Sequence, residues 1–552
     1  MRCLFNISLE DKRHMPIYTS IIKANGHSGA VSTKVMDWQS LMNAAKEASA
    51  KAIVLSNEET LQTLMGTPKA TLDAYRGSRL NYEIPVFVVN KIEHIHTVDH
   101  GRWLLDRDLE KINHINKKVA AFEPIICDTQ SAMLNCLAEC QQAALMAFDI
   151  ETNPDWKLIT CISFAILTKQ LEIKVFVIPL IDFDHRHYIN PNEYEEALAF
   201  IKEILALPIP KIAHNGVYDC SWLLYYNMVP NQYLFDTMIF SWARYSELPR
   251  SLDFVASLYL FDYVQWKHEA KEASKKKDIV AYWAYCAKDA WTTLRIMLQQ
   301  LSISDESDYW MFNFKETFKL SYPAMYCGFE GCLVDTEERY WLTEIAEQKL
   351  GQAKRDLVTM SATPNFNPAS PQQVSRFIYD VLGAKRPLTA KSKSATDEKT
   401  LNRVAMQHPL LARVIDLQLS FKENQKLIST YYYFDLTEEG RATWSLDITG
   451  TETGRMASKK SCFDLGLQVQ NTPTDGFRSC LIPDPGYDLV EIDKNKSEAR
   501  FVAYLSKCQK MIDALEDAEH DFYLTLSAEF FGVPYEKVTK YMRNKLTKKI
   551  IH

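Results

Sequence analysis

Three runs of apolar and β-branched residues follow one another between Ala143 and Ile181: ALMAFDIE, LITCISFAIL and IKVFVIPLI. Such runs read as strands, and three in quick succession predict an antiparallel meander. The first run breaks its own apolar pattern at its end. There Asp149 and Glu151 stand two positions apart, which on a strand puts both on one face. NEYEEALAFIKEILAL follows as an amphipathic helix, KIAHN as a short strand, and the chain to about Leu301 as further helix.

Two more acids join this pattern. Asp219 lies in HNGVYD, where a strand opens into a helix. Asp289 lies in YCAKD on a helix, and Tyr285, four residues earlier, shares its face. Four acids of this kind cannot stay buried together without cations. A hard oxygen-ligand set is what Mg²⁺ or Mn²⁺ uses in two-metal phosphodiester cleavage, one ion activating a water and the other stabilising the leaving 3′ oxygen. A tyrosine hydroxyl can orient that water. Each piece alone is common on protein surfaces, and it is the order of the pieces that carries weight.

The 552 residues are too many for one ordinary domain, at ~100–200 residues each. A 47% hydrophobic content excludes a disordered or collagen-like chain. The formal charge of −7 does not advertise nucleic-acid binding, but a global sum hides local patches. The opening MRCLFNISLEDKRH has no apolar core of a secretory signal, and no apolar run is long enough to span a membrane. Twelve cysteines without a CxxC pair fit a reduced compartment, the cytoplasm (a host's if the chain is viral), and no structural zinc is expected.

The first ~125 residues read as a small α/β unit. DWQSLMNAAKEASA, NEETLQTLM and HGRWLLDRDLEKI are its helices, AIVLS and PVFVVN its strands, and Asn113 to Ala121 a linker. KEASKKKD, Lys271 to Asp278, reads as a solvated loop. Beyond Ser321 the chain is mostly helical to Tyr433, with short strands expected near Trp444 to Ile448 and Asp488 to Ile492.

The stretch from Ala143 to Leu301 resembles the DEDD-type 3′–5′ exonucleases in their tyrosine-bearing branch. The resemblance implies an RNase H-like fold, with Asp149, Glu151, Asp219 and Asp289 as metal ligands and Tyr285 as the catalytic water-positioning residue. Asn215 matches the asparagine that precedes the second acid, and Asp236 in FDTM is read as structural. Downstream, GFEGCLVD, FNPASPQQVSRFIYDVLG, KENQKLISTYY, TETGRMAS, LQVQNTP and DLVEIDKNKSEARFVAYLS come in fixed order. This series resembles the family A DNA polymerases. The resemblance implies a thumb helix bearing Lys426 and DNA contacts from Arg455, Gln470 and Asn471. It also implies Asp493 as the first catalytic, metal-binding aspartate of a palm, with Glu498 beside the nucleotide. The usual DxSQIELR of that family is here DKNKSEAR, with Lys496 and Ser497 in place of Gln and Ile.

The segment YEKVTKYMRNKLTKKIIH is similar to the fingers helix that grips an incoming triphosphate, which implies nucleotide contacts from Arg543, Lys548 and His552. The bland alternative is a solvated basic helix. The expected architecture is therefore a multidomain α/β and α+β chain. It comprises an α/β unit at 1–125, an exonuclease domain at 126–310 and a partial right-hand polymerase at 311–552, with thumb, palm start and fingers start. No second palm aspartate follows in the sequence, and one aspartate cannot complete a two-metal site. The expectation is the N-terminal portion of a split, phage-like polymerase, completed by a second polypeptide and acting on primer–template, a single-stranded 3′ end and dNTP. Its rivals are a stand-alone exonuclease whose remnant only grips duplex DNA, a silent DNA-binding scaffold, and an interrupted or shortened reading frame. Residues 35–113 bear a faint likeness to the later half of uracil-DNA glycosylases. They lack its glycine-proline loop, and with His94 and His96 only in the vicinity of its His-Pro-Ser, the unit is read as non-catalytic.

Overall fold

The three central runs form the middle of a six-stranded sheet. Leu145–Asn153, Leu158–Leu167 and Ile173–Pro179 pair antiparallel, the first two from Leu145 opposite Leu167 to Asn153 opposite Leu158 with a register shift between Glu151 and Thr152. Outside the first strand lie Lys211–Ala213 and then Tyr233–Asp236, both parallel to their neighbours; outside the third lies Pro124–Ile126. This is a computed structural model, and it describes residues 1–8, 14–184, 191–386, 395–473, 476–494, 496–517, 519–539 and 542–543. Along Leu145–Asn153 the period-2 rule sorts side chains: Phe148 and Ile150 are buried, whereas Asp149 and Glu151 reach the more open face. The long helix Ile279–Ser302, started by Asp278 accepting from Ala281 N, packs over that face with Cys286, Ala287, Ala290 and Leu294 buried.

Ahead of this sheet stands a five-stranded one. Its order is Ser28–Ser32, Arg2–Ile7, Ala52–Ser56, Val86–Val88 and Arg79–Leu80, parallel except at the last strand. The expected strand at Ala52–Ser56 and helix Glu58–Met65 are present, the helix capped by Asn57 accepting from Thr60 N. Sequence reading passed over Arg2–Ile7, a buried inner strand of this sheet. Lys271 to Asp278 is not a loop either. Glu269–Lys276 is a helix whose buried residue is Ala273, and one buried anchor among five charged residues leaves little periodicity to read.

Residues 1–482 and 483–552 form two separate compact units. In the first, the helices Thr336–Ser361 and Ala412–Lys426 pack together, and the latter runs into a π-helical turn at Leu427–Tyr432 that buries Tyr431 and Tyr432. A hairpin of Ser445–Asp447 and Ala457–Lys459 presents TGTETGR at its tip. Among the described residues the second unit holds three α-helices, Ser497–Ser506, Gln509–Glu516 and Phe522–Phe531, around Ala499, Ala503, Leu515 and Phe522. The strand expected at Asp488 to Ile492 does not form: among the described residues that stretch has no ladder partner, and a strand needs a neighbour to take its backbone hydrogen bonds. No helix among the described residues is long and apolar enough to cross a membrane.

Candidate metal centre and nucleic-acid contacts

Asp149, Glu151 and Asp289 each place one carboxylate oxygen within 4.8 Å of the others. Strand period brings the first two together, and the helix Ile279–Ser302, lying across the same face, delivers the third. Asp219 stands beside this triangle rather than in it. Its Oδ1 accepts from the N–H of Ile150, the residue between the two strand acids, at 3.2 Å. Tyr285 lies on the Asp289 helix as its spacing requires, and one turn earlier Tyr282 donates to Glu151 Oε2 at 3.2 Å.

The electrostatics follow from crowding. Burial first, then Asp289, Asp219 and Glu151, hold the Asp149 carboxyl well above the ordinary range. Burial and Asp289 push Glu151 up to about 8, while Lys267 and the Tyr282 hydroxyl pull it back. Burial raises Asp219 to about 7 against the opposing N–H of Ile150. Carboxylates that resist ionising one another are a ready hold for a hard divalent cation, and three oxygens at this spacing fit one.

The second motif is built by a structural acid. Asp236, wholly buried, accepts from the N–H groups of Asn215, Gly216, Met238 and Ile239 and from the Tyr233 hydroxyl at 2.6 Å. It fixes the left-handed Asn215, φ 63°, at the head of helix Gly216–Tyr225, which carries Asp219. Gly216 is demanded by space: a Cβ there would lie 2.5 Å from the Tyr233 hydroxyl.

Sequence reading missed Trp266 and Lys267. The Trp266 indole donates to Asp289 Oδ1 at 2.6 Å, and Lys267 Nζ donates to Asp289 Oδ2 at 2.6 Å and to the Tyr285 hydroxyl at 3.0 Å. Nothing in their spacing announces them, since they arrive from a loop between two helices.

The proposed DNA contacts in the first unit, Lys426, Arg455, Gln470 and Asn471, are all exposed. Arg455 sits at the hairpin tip, where its N–H donates to Thr451 Oγ1 at 2.9 Å, and Gln470 N donates to Ser458 Oγ on the hairpin's second strand. In the second unit Asp493 and Glu498 are exposed, and Arg543 instead holds Asp521, its Nη2 2.9 Å from Oδ2. Asp521 caps the helix Phe522–Phe531, so the arginine serves a helix start here. Lys548 and His552, expected toward the nucleotide, lie outside the described residues.

Comparison with known proteins gives two matches in series. Residues 124–302 match the family described as 3′–5′ exonuclease, and residues 339–552 match DNA polymerase family A. The chain is DNA polymerase I-like, with an exonuclease segment ahead of a polymerase segment. DNA polymerase I of Pseudomonas aeruginosa is 26% identical over 429 residues, covering 73% of this chain and 45% of that one. The thermostable DNA polymerase I of Thermus aquaticus is 28% identical over 208 residues, 36% of this chain and 24% of that one. This chain therefore spans less than half the length of these curated relatives. The POL domain of Pol1 from M. smegmatis, solved in complex with DNA primer-template and dNTP, shares the fold at 17% identity. Its TM-score is 0.57, with 78% of this chain and 70% of that one covered.

Proposed function

We propose that the chain removes nucleotides from DNA 3′ ends through its exonuclease segment, and that its polymerase segment supplies the thumb and first palm aspartate of a DNA polymerase. The observation that carries the reading is the triangle of Asp149, Glu151 and Asp289 on the six-stranded sheet. Mg²⁺ or Mn²⁺ held by these three, with Asp219 beside them, supplies Lewis-acid charge and a water of lowered pKa when bound. The chain's own residues do the rest. Asp219, braced on Ile150 N, ties the strand to the second-motif helix. Trp266 and Lys267 take one oxygen each of Asp289 and fix its plane, and the Tyr285 hydroxyl stands where it can orient a water.

For the polymerase segment, exposed Lys426, Arg455, Gln470 and Asn471 are suited to phosphates and the minor groove, which read duplex shape more than sequence. Asp493 is the metal-binding aspartate of this reading, with Glu498, Arg543, Lys548 and His552 toward the nucleotide. Beside Asp493, Tyr487, Leu489, Val490 and Ile492 are 59–90% exposed, an apolar run suited to pairing with further strands.

The test uses the full chain on a labelled single strand and on a primer–template, with and without Mg²⁺. Stepwise 3′ digestion that requires Mg²⁺ and that Asp149→Ala abolishes is expected, together with binding of the primer–template. A chain inert with Mg²⁺ refutes the nuclease reading, and a chain that does not bind the primer–template refutes the polymerase part.

A further inference from the structure

Lys267 sits among the candidate metal ligands, yet it is no stray surface lysine. Its Nζ bridges Asp289 Oδ2 and the Tyr285 hydroxyl and lies 5.2 Å from the Tyr285 ring centre. Its backbone is held as firmly as its head. Lys267 N donates to Gln265 Oε1 at 2.5 Å, and Gln265 N donates to Ser78 Oγ at 3.2 Å. Two residues earlier, Tyr263 O accepts from Arg79 N at 2.7 Å. Ser78 and Arg79 belong to the N-terminal α/β unit, Ser78 ending the loop that leads into its edge strand Arg79–Leu80 and Arg79 opening that strand.

That loop is itself rigid. Gly77 takes φ +74°, and a Cβ there would fall 2.7 Å from Lys111 Nζ. Arg76 pairs with Asp108 at 2.8 Å with both side chains almost wholly buried, and also donates to Ser257 Oγ. The chain of contacts thus runs from a buried ion cluster in the N-terminal unit, through Ser78 and Gln265, to an ammonium inside the carboxylate site.

We propose that Lys267 is a further positioning residue of the exonuclease site, and that the N-terminal unit holds it there through Ser78 and Gln265. This deepens the nuclease reading above and rests on it. The chemistry is one of proton direction. A phenolic oxygen that accepts from an ammonium has its own O–H left to donate elsewhere, so Lys267 turns Tyr285 into a donor aimed away from the lysine. Asp289 keeps lone pairs for a cation while Trp266 and Lys267 fix its orientation, and orientation in an active site is worth large factors in rate.

The experiment compares full-length wild type, Lys267→Met, Lys267→Arg, Gln265→Ala and the Gln265→Ala/Lys267→Met double variant. It measures kcat and KM for single-stranded DNA with Mg²⁺, and separately Mn²⁺ uptake by titration calorimetry without DNA. K267M is expected to lose about 10- to 100-fold in kcat with little change in KM, to keep its Mn²⁺ uptake, and to be partly restored by K267R. Gln265→Ala is expected to lower kcat in wild type and to add nothing in the K267M background, because it acts through Lys267. An unchanged kcat in K267M overturns the proposal, as does loss of Mn²⁺ uptake together with kcat, or a Gln265→Ala effect that persists without Lys267. Wild-type digestion is the separate control: an inert wild type refutes the nuclease reading, whereas an active wild type with an active K267M refutes this inference alone.

Discussion

Removing the metal and raising the pH should selectively weaken the exonuclease segment. Glu151 ionises in the folded protein near pH 8 and ordinarily near 4.5, and Asp219 near 7 against 3.8. Both acids therefore hold protons more tightly folded than unfolded. Between these values the folded state binds more protons, so stability is fullest at the acid end and falls as pH rises through the folded values. At about 1.4 kcal/mol per pH unit, the Glu151 interval corresponds to roughly 5 kcal/mol. A segment of 150–250 residues shifts about 2–4 °C per kcal/mol, so the fall amounts to some ~10–20 °C. Lys111 works oppositely: burial lowers it to about 7, so the folded protein gains stability above that pH. The quantity to measure is therefore the difference between wild type and Glu151→Gln, melted in EDTA by circular dichroism. Near pH 5 the two should coincide, and near pH 8 the variant should melt well above wild type. Mn²⁺ should erase the wild-type loss and stabilise more at each higher pH, because it takes the place of protons. A Glu151→Gln chain no more stable than wild type at the alkaline end refutes the reasoning.

Three further outcomes are expected. Arg76→Ala strands Asp108 in the buried pair that anchors the N-terminal loop, and should cost about 3–5 kcal/mol in urea unfolding of that unit. Asp236→Ala removes the acceptor for four backbone N–H groups and a tyrosine hydroxyl, so the same assay should register a loss of about 3 kcal/mol or more. Its Mn²⁺ uptake should fall only modestly, because the triangle of Asp149, Glu151 and Asp289 does not include Asp219. Arg455→Ala should weaken duplex binding evenly across sequences and reduce the salt slope by about 1, read by fluorescence anisotropy over a NaCl series.

The meander and the order of its acids were legible because one rule, alternation along a strand, fixes both packing and chemistry. Asp149 and Glu151 share a face for the same reason that Phe148 and Ile150 share the other. The i, i+4 step did the same for Tyr285 and Asp289. What stayed hidden came from contacts distant in sequence. Lys267 is 22 residues from Asp289 and follows a loop whose course is set by Ser78, 187 residues upstream of Gln265. Arg2–Ile7 escaped because a parallel strand buried on both faces lacks alternation and is short. Asp488 to Ile492 erred in the other direction. Its composition is that of a strand, but composition does not supply the neighbour that a ladder requires.

The exonuclease sheet is also where the flanking segments of the first unit meet, and they meet it at the elements that carry its acids. From the N-terminal side, Ser78 and Arg79 pin the 263–267 stretch that clasps Asp289. From the polymerase side, the hairpin that bears Arg455 rests on the helix Thr237–Arg244, whose Trp242 indole donates to Thr451 O at 2.9 Å. Arg250 completes that side: its guanidinium donates to Thr449 Oγ1 at 2.6 Å and lies 3.6 Å from Asp447, while its carbonyl is 2.9 Å from His214 Nε2. His214 is the first residue of the HNG motif, two positions before the glycine that opens the Asp219 helix. A shift of the hairpin thus has a short, hydrogen-bonded route to the second motif, and a shift of the N-terminal loop has one to the third. Because hydrogen bonds of this kind cannot stretch by an ångström without breaking, each flanking segment constrains one of the two helices that bring acids to the strand pair.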